Sequence, residues 1–143
     1  MEQPMLSRRS FFGGALALSA VIALPLEAFP FAPTIYADGV HDDTAGLQAL
    51  LDGKPFRVAG EARAWRSTGK IFLGTGTYLL SDTLHFRDVK LIDGCGATFD
   101  GRRIPSDRDA IIHIHGSSES SPATLRDMRL MVADTRWAVI VSS

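Results

Sequence analysis

From Lys70 onward the chain never carries more than a few apolar residues before a glycine or a polar turn interrupts it. Glycines stand at positions 74, 76, 94, 96, 101 and 116. The runs between them are too short for helices and rich in residues that suit strands. They are Lys70–Leu73, Thr77–Leu80, Leu84–Phe86, Val89–Ile92, Ala97–Phe99, Ala110–His115, Leu125–Val132 and Ala138–Val141. Leu73, Leu91, Ile112 and Leu130 recur at intervals of about 20 residues, a solenoid period rather than a hairpin period. Alternation then predicts inward pairs at Leu84/Phe86, Val89/Leu91, Ile112/Ile114 and Leu130/Val132.

Ahead of these runs lies one helical signal, over about residues 43–52. Leu47, Leu50 and Leu51 share a face, Gly53 supplies a stop and Pro55 follows it. Asp42 and Asp43 stand where a carboxylate can accept the free N–H groups of the first turn, so both are read as helix caps.

The stretch Asp38-Gly39-Val40-His41-Asp42-Asp43-Thr44-Ala45-Gly46-Leu47-Gln48 resembles the N-terminal signature of the pectate-lyase-like superfamily, which includes rhamnogalacturonase- and epimerase-like enzymes and phage tailspikes. Gly76-Thr77-Tyr78-Leu79-Leu80-Ser81 resembles the family's Gly-Thr-Tyr strand. Val89-Lys90-Leu91-Ile92-Asp93-Gly94-Cys95-Gly96-Ala97 resembles the strand and turn that follow it. The resemblance spans roughly residues 35–100. It implies an all-β fold: a right-handed parallel β-helix, a single-stranded solenoid closed at one end by the capping helix. About three to four coils of the observed period fit after Lys70. The family further implies polysaccharide or oligosaccharide as partner and lyase or glycoside-hydrolase chemistry; no cofactor is expected, calcium entering by this resemblance alone. So few coils suggest a truncated member, the N-terminal portion of such an enzyme. The alternative is a non-catalytic polysaccharide-binding or structural module that covers its open end by forming a homo-oligomer.

Residues 1–28 read as a targeting segment and residues 29–143 as the domain. Ser7-Arg8-Arg9-Ser10-Phe11-Phe12 matches the twin-arginine pattern, and the apolar run after it is short and broken by Gly13, Gly14 and Pro25. The expectation is recognition of Arg8 and Arg9 by the twin-arginine translocase, with a periplasmic or secreted product. The 143 residues carry 15 Lys+Arg against 16 Asp+Glu, a net charge of −1, which gives no footprint for nucleic acid. Cys95 is the single cysteine, so no intrachain disulfide can form, and it is expected as a small buried turn residue.

Chemistry is sparser. Asp93, Asp100, Asp107 and Asp109 fall near turns with Arg102, Arg103 and Arg108 among them, as expected of turn residues and surface ion pairs. None matches a catalytic motif, so catalytic residues stay unassigned. Asp93, Asp100 and Arg102 are the polar candidates for substrate binding, and Trp65 is the aromatic one, because its ring face suits the apolar face of a sugar. His113 and His115 share one side of a strand. A zinc site needs a third ligand that the sequence does not designate. The expectation is therefore two outward polar residues and no metal, with His85 also facing outward.

Overall fold

The computed structural model describes residues 20–21, 31–116, 123–133 and 137–142. The twin-arginine motif with Arg8 and Arg9 lies outside the described residues. No described helix is long and apolar enough to cross a membrane.

The elements run β1 (Ala20–Val21), β2 (Thr34–Ile35), β3 (Asp38–Asp42), α1 (Thr44–Asp52), β4 (Arg57–Val58), β5 (Ala64–Ser67) and β6 (Lys70–Leu73). Then come β7 (Thr77–Leu79), β8 (Leu84–Phe86), β9 (Leu91–Asp100), β10 (Ala110–His115), β11 (Thr124–Met131) and β12 (Trp137–Ser142). They form three separate sheets. The largest has the order β1-β5-β6-β9-β7-β3 with β11 also on β9; the second is β12-β10-β8; the third is β2-β4.

The expected parallel β-helix of three to four regular coils is not what forms. The sheets are separate, and the largest is mixed and curled. A local hairpin is one reason. Ser67 and Lys70 pair across Thr68 and Gly69, both at positive φ (47° and 75°), the conformation of a two-residue turn between antiparallel strands. β5 therefore folds back onto β6, and β1 lies antiparallel on β5. The ~20-residue spacing is the other reason, since it does not translate into one ladder. Leu73 faces Ala64, Leu91 faces Lys70 and Thr124, Leu130 faces Phe99, and Ile112 sits in a different sheet between Leu84 and Val139. The pairs that do run parallel are β2/β4, β3/β7, β6/β9, β7/β9, β9/β11, β8/β10 and β10/β12.

β9 organises the large sheet. The runs expected at Val89–Ile92 and Ala97–Phe99 join into this one strand, which bends at Gly94-Cys95-Gly96. Its first half takes β6 and its second half takes β7, while β11 follows it throughout. At the bend Cys95 has φ 47° and Asp127 of β11 has φ 51°, with a register shift between Arg126 and Met128. A bulge of this kind sharpens local twist and curls a sheet. Cys95 lies exposed on the bend, against the expectation that it is buried.

One apolar cluster joins the helix to strands of all three sheets. It contains Ile35, Leu47, Leu50, Phe56, Ile71, Leu73, Tyr78, Leu84, Phe86, Ile92, Phe99, Ile112 and Ile114 among others. Leu84/Phe86 and Ile112/Ile114 point inward as the alternation predicts. Ile92 rather than Leu91 faces inward beside Val89, and Leu130 and Val132 are half-buried. Helix α1 buries Leu47, Leu50 and Leu51 in the core, and it closes at Gly53 with Lys54 N–H on the Ala49 carbonyl at 2.8 Å. A Cβ at Gly46 would stand 2.7 Å from the Thr34 carbonyl oxygen, so glycine is what lets the helix meet β2.

The two expected caps part company. The Asp42 carboxylate accepts Thr44 N–H at 2.9 Å and Thr44 Oγ1 at 2.6 Å, and it also accepts the Ser81 hydroxyl. Asp43 occupies the N-cap position but makes no side-chain bond to the helix. Its carboxylate turns inward and accepts Tyr36 N–H at 2.6 Å and Ala37 N–H at 3.1 Å.

Candidate functional site

Four residues lie in register across the outward face of the large sheet. Trp65 of β5 faces Phe72 of β6, Phe72 faces Asp93 of β9, and Asp93 faces Arg126 of β11. Their neighbours in sequence point the other way: Ala64, Ile71, Leu73 and Ile92 are buried in the core. At ordinary strand spacing the row spans about 14 Å, and it has an aromatic end and a charged end.

The Trp65 and Phe72 rings stack with centroids 5.1 Å apart and planes 14° from parallel. Trp65 keeps 41 % of its surface exposed. At the other end Arg126 donates Nε to Asp93 Oδ2 at 2.9 Å, with a second bond from Nη2. Asp93 Oδ1 accepts Cys95 N–H at 3.2 Å and the Cys95 thiol at 3.5 Å. The Arg126 guanidinium holds the Asp93 carboxyl below its usual range. The Cys95 thiol is pushed up, by desolvation first and then by Asp93, so it is not an activated nucleophile. A flat aromatic surface beside a fixed carboxylate and guanidinium can stack an apolar ring face and hydrogen-bond hydroxyls in one plane.

Of the four expected binding residues, the fold therefore brings Trp65 and Asp93 together and leaves two elsewhere. Asp100 ends β9, seven residues beyond Asp93 and past the bend. There it is held by Arg102 through Nε–Oδ1 at 2.9 Å and Nη2–Oδ2 at 2.8 Å, a closed local pair. Asp107 and Asp82 share Arg108, at 3.2 and 2.8 Å, in a third place. The aspartate–arginine group thus resolves into ion pairs.

Glycoside cleavage by two carboxyl groups needs one that keeps its proton near neutral pH. Asp82, Asp93 and Asp100 are all held low, each chiefly by its arginine partner. Among the carboxyl groups of the described residues only Asp43 is displaced upward, to about 6, by burial. It is fully enclosed and committed to the Tyr36 and Ala37 backbone, out of reach of a substrate.

A second group assembles on the other sheet. His85 of β8 lies opposite His113 of β10, and His115 is two residues further along the same side. His85 Nδ1 is 2.9 Å from His115 Nε2. The His113 and His115 rings stack at 4.0 Å, and His113 Nε2 is 3.0 Å from the Ser142 hydroxyl of β12. One nitrogen from each of the three rings falls within 4.8 Å of the others. Burial, Arg87 and His113 hold His85 below the ordinary imidazole range; burial, His113 and Arg87 do the same for His115. Sequence reading placed His113 and His115 together but missed His85, 28 residues earlier. Only the β8/β10 register brings it in.

A scan against protein-family models, a search of curated proteins and a search of solved structures each found no match.

Proposed function

We propose that the chain is a non-catalytic module that binds polysaccharide or oligosaccharide outside the cytoplasm. The observation that carries this reading is the Trp65–Phe72–Asp93–Arg126 row, an aromatic platform that continues into a fixed ion pair on an outward sheet face. Sugar rings offer an apolar face for stacking and hydroxyls for charge-assisted bonds, and the row offers the complement of both. Binding is favoured over cleavage because Asp42, Asp82, Asp93 and Asp100 are tied to arginine or hydroxyl partners and Asp38 to His41, and all five are held low. The Ser7–Phe12 pattern supports export by the twin-arginine route, which would bring the row to extracellular or periplasmic glycans.

Affinity electrophoresis against pectin, alginate and neutral β-glucans tests the reading, followed by calorimetry on any polymer that retards the protein. Trp65→Ala is expected to weaken binding by about 10-fold or more, the usual effect of removing an aromatic anchor. It should leave the fold intact, since the ring already faces solvent. Absence of retardation across the panel, or a Trp65→Ala variant that binds as well as the parent, would sink the proposal.

A further inference from the structure

The three imidazoles of His85, His113 and His115 are on a different sheet from the aromatic row, and sugar binding gives them no role. We infer that they form a mononuclear site for a divalent transition metal of the zinc class, held by three histidines with one coordination position open.

Geometry carries the inference. Tetrahedral zinc with nitrogen ligands near 2.0–2.1 Å requires ligand atoms about 3.3 Å apart. The ring nitrogens here lie 2.9 Å apart for His85/His115 and within 4.8 Å for all three, so side-chain rotations of a few tenths of an ångström to about 1.5 Å suffice. The backbone need not move. His85 and His113 are locked opposite each other by the ladder, and His113 and His115 are fixed two residues apart on one strand.

The scaffold is built to hold this arrangement. The Gln48 side chain of α1 accepts His85 N–H at 2.9 Å and donates to the His85 carbonyl at 2.9 Å, pinning the backbone beneath one ligand. Ser142 restrains the His113 ring from the opposite strand. Partners of this kind set ring orientation in metal sites.

The donor set selects the metal. Three imidazoles suit zinc, cobalt, nickel and copper and are poor ligands for calcium and magnesium, which prefer oxygen. The open position has somewhere to face. A cleft of about 360 Å³ is lined by His85 and His113 together with Asp82, Asp107, Arg108 and Asp109. Water or a small anionic ligand can enter there, and the three aspartates of the lining outweigh the one arginine, Arg108, that pairs with Asp82 and Asp107. The site therefore has the form of a three-histidine centre with an exchangeable ligand, rather than a closed structural zinc site.

The test is titration of the metal-free full chain with zinc chloride by calorimetry, and with cobalt chloride by visible absorption. The expected result is one metal per chain at micromolar affinity or tighter, with the intense visible cobalt band of tetrahedral coordination, which zinc removes. His85→Ala, His113→Ala and His115→Ala should each weaken binding by at least about 100-fold, more than loss of a supporting residue costs. His41→Ala, whose ring is paired with Asp38, should not change it. Circular dichroism on each variant separates lost binding from lost fold, and His→Asn replacements stand in where alanine unfolds the chain. Failure of the parent chain to bind zinc or cobalt would overturn the inference. So would binding that survives replacement of all three histidines, or a weak octahedral cobalt spectrum. None of these outcomes bears on the aromatic row, so the two proposals fail separately.

Discussion

At the scale of single residues, Asp43 shows a carboxylate spent on something other than its neighbours in sequence. Its oxygens collect the Tyr36 and Ala37 amides and so fasten the lead-in strand to the start of α1. Enclosure raises its pKa from 3.8 to about 6. The folded chain therefore holds this proton more tightly than the unfolded chain does. The contribution to stability is greatest below about pH 4 and is lost as pH rises through 6. Asp38, Asp42, Asp82, Asp93 and Asp100 are shifted downward and give the opposite slope in more acidic solution. Urea midpoints of the parent and of Asp43→Asn, compared between pH 4 and 7, isolate the effect. The parent should lose stability relative to the variant across that window, and parallel curves would contradict the assignment. The sequence made the turn and the helix readable here, and of the two carboxylates it put at the helix start, Asp42 does accept the Thr44 amide. It could not show that Asp43 faces residues 36 and 37, because that partnership depends on how the lead-in packs. The same limit hid His85. Residues two apart on a strand can be read from sequence, whereas a ligand from the next strand needs the register.

At the scale of elements, local signals carried far. The strands Lys70–Leu73, Leu84–Phe86 and Ala110–His115 lie where glycine spacing and alternation put them, and α1 starts and stops at the expected residues to within one position. What the pattern lacked was the partner of each strand. Ser67-Thr68-Gly69-Lys70 is a two-residue hairpin without the asparagine that usually announces one, so nothing in the sequence marks the polar stretch before it as the partner of β6. The turn makes β5 an antiparallel neighbour of β6, and this places Trp65 beside Phe72. A β-branched residue with φ of 47° is strained, and Thr68 is exposed and free to change. Thr68→Asn should therefore stabilise the domain by about 0.5–1 kcal/mol, seen as a higher urea midpoint at unchanged slope. A lower midpoint would mean that the turn adopts another form.

For the whole molecule, the decisive matter is how the sheets end. The β12-β10-β8 sheet has two edges, and they are treated differently. On β8 the outward N–H and carbonyl of His85 are both taken by the Gln48 amide, which occupies the place a neighbouring peptide group would fill. On β12, which among the described residues pairs with β10 alone, Trp137 and Val141 remain 71 % and 59 % exposed. An exposed apolar edge is a template for another strand. With one edge of this sheet plugged, two copies can join through it only β12 to β12. That contact is the same from both sides, so it uses itself up when two chains have joined. Sedimentation should accordingly show association that stops at a dimer and weakens in Val141→Lys. Removing the plug changes the arithmetic. In Gln48→Ala the β8 edge of one copy can accept the β12 edge of the next, each addition leaving a fresh end. The variant is expected to run on into long, thioflavin-positive assemblies where the parent stops. A single amide on a nine-residue helix would then be the difference between a dissolved protein and a fibre.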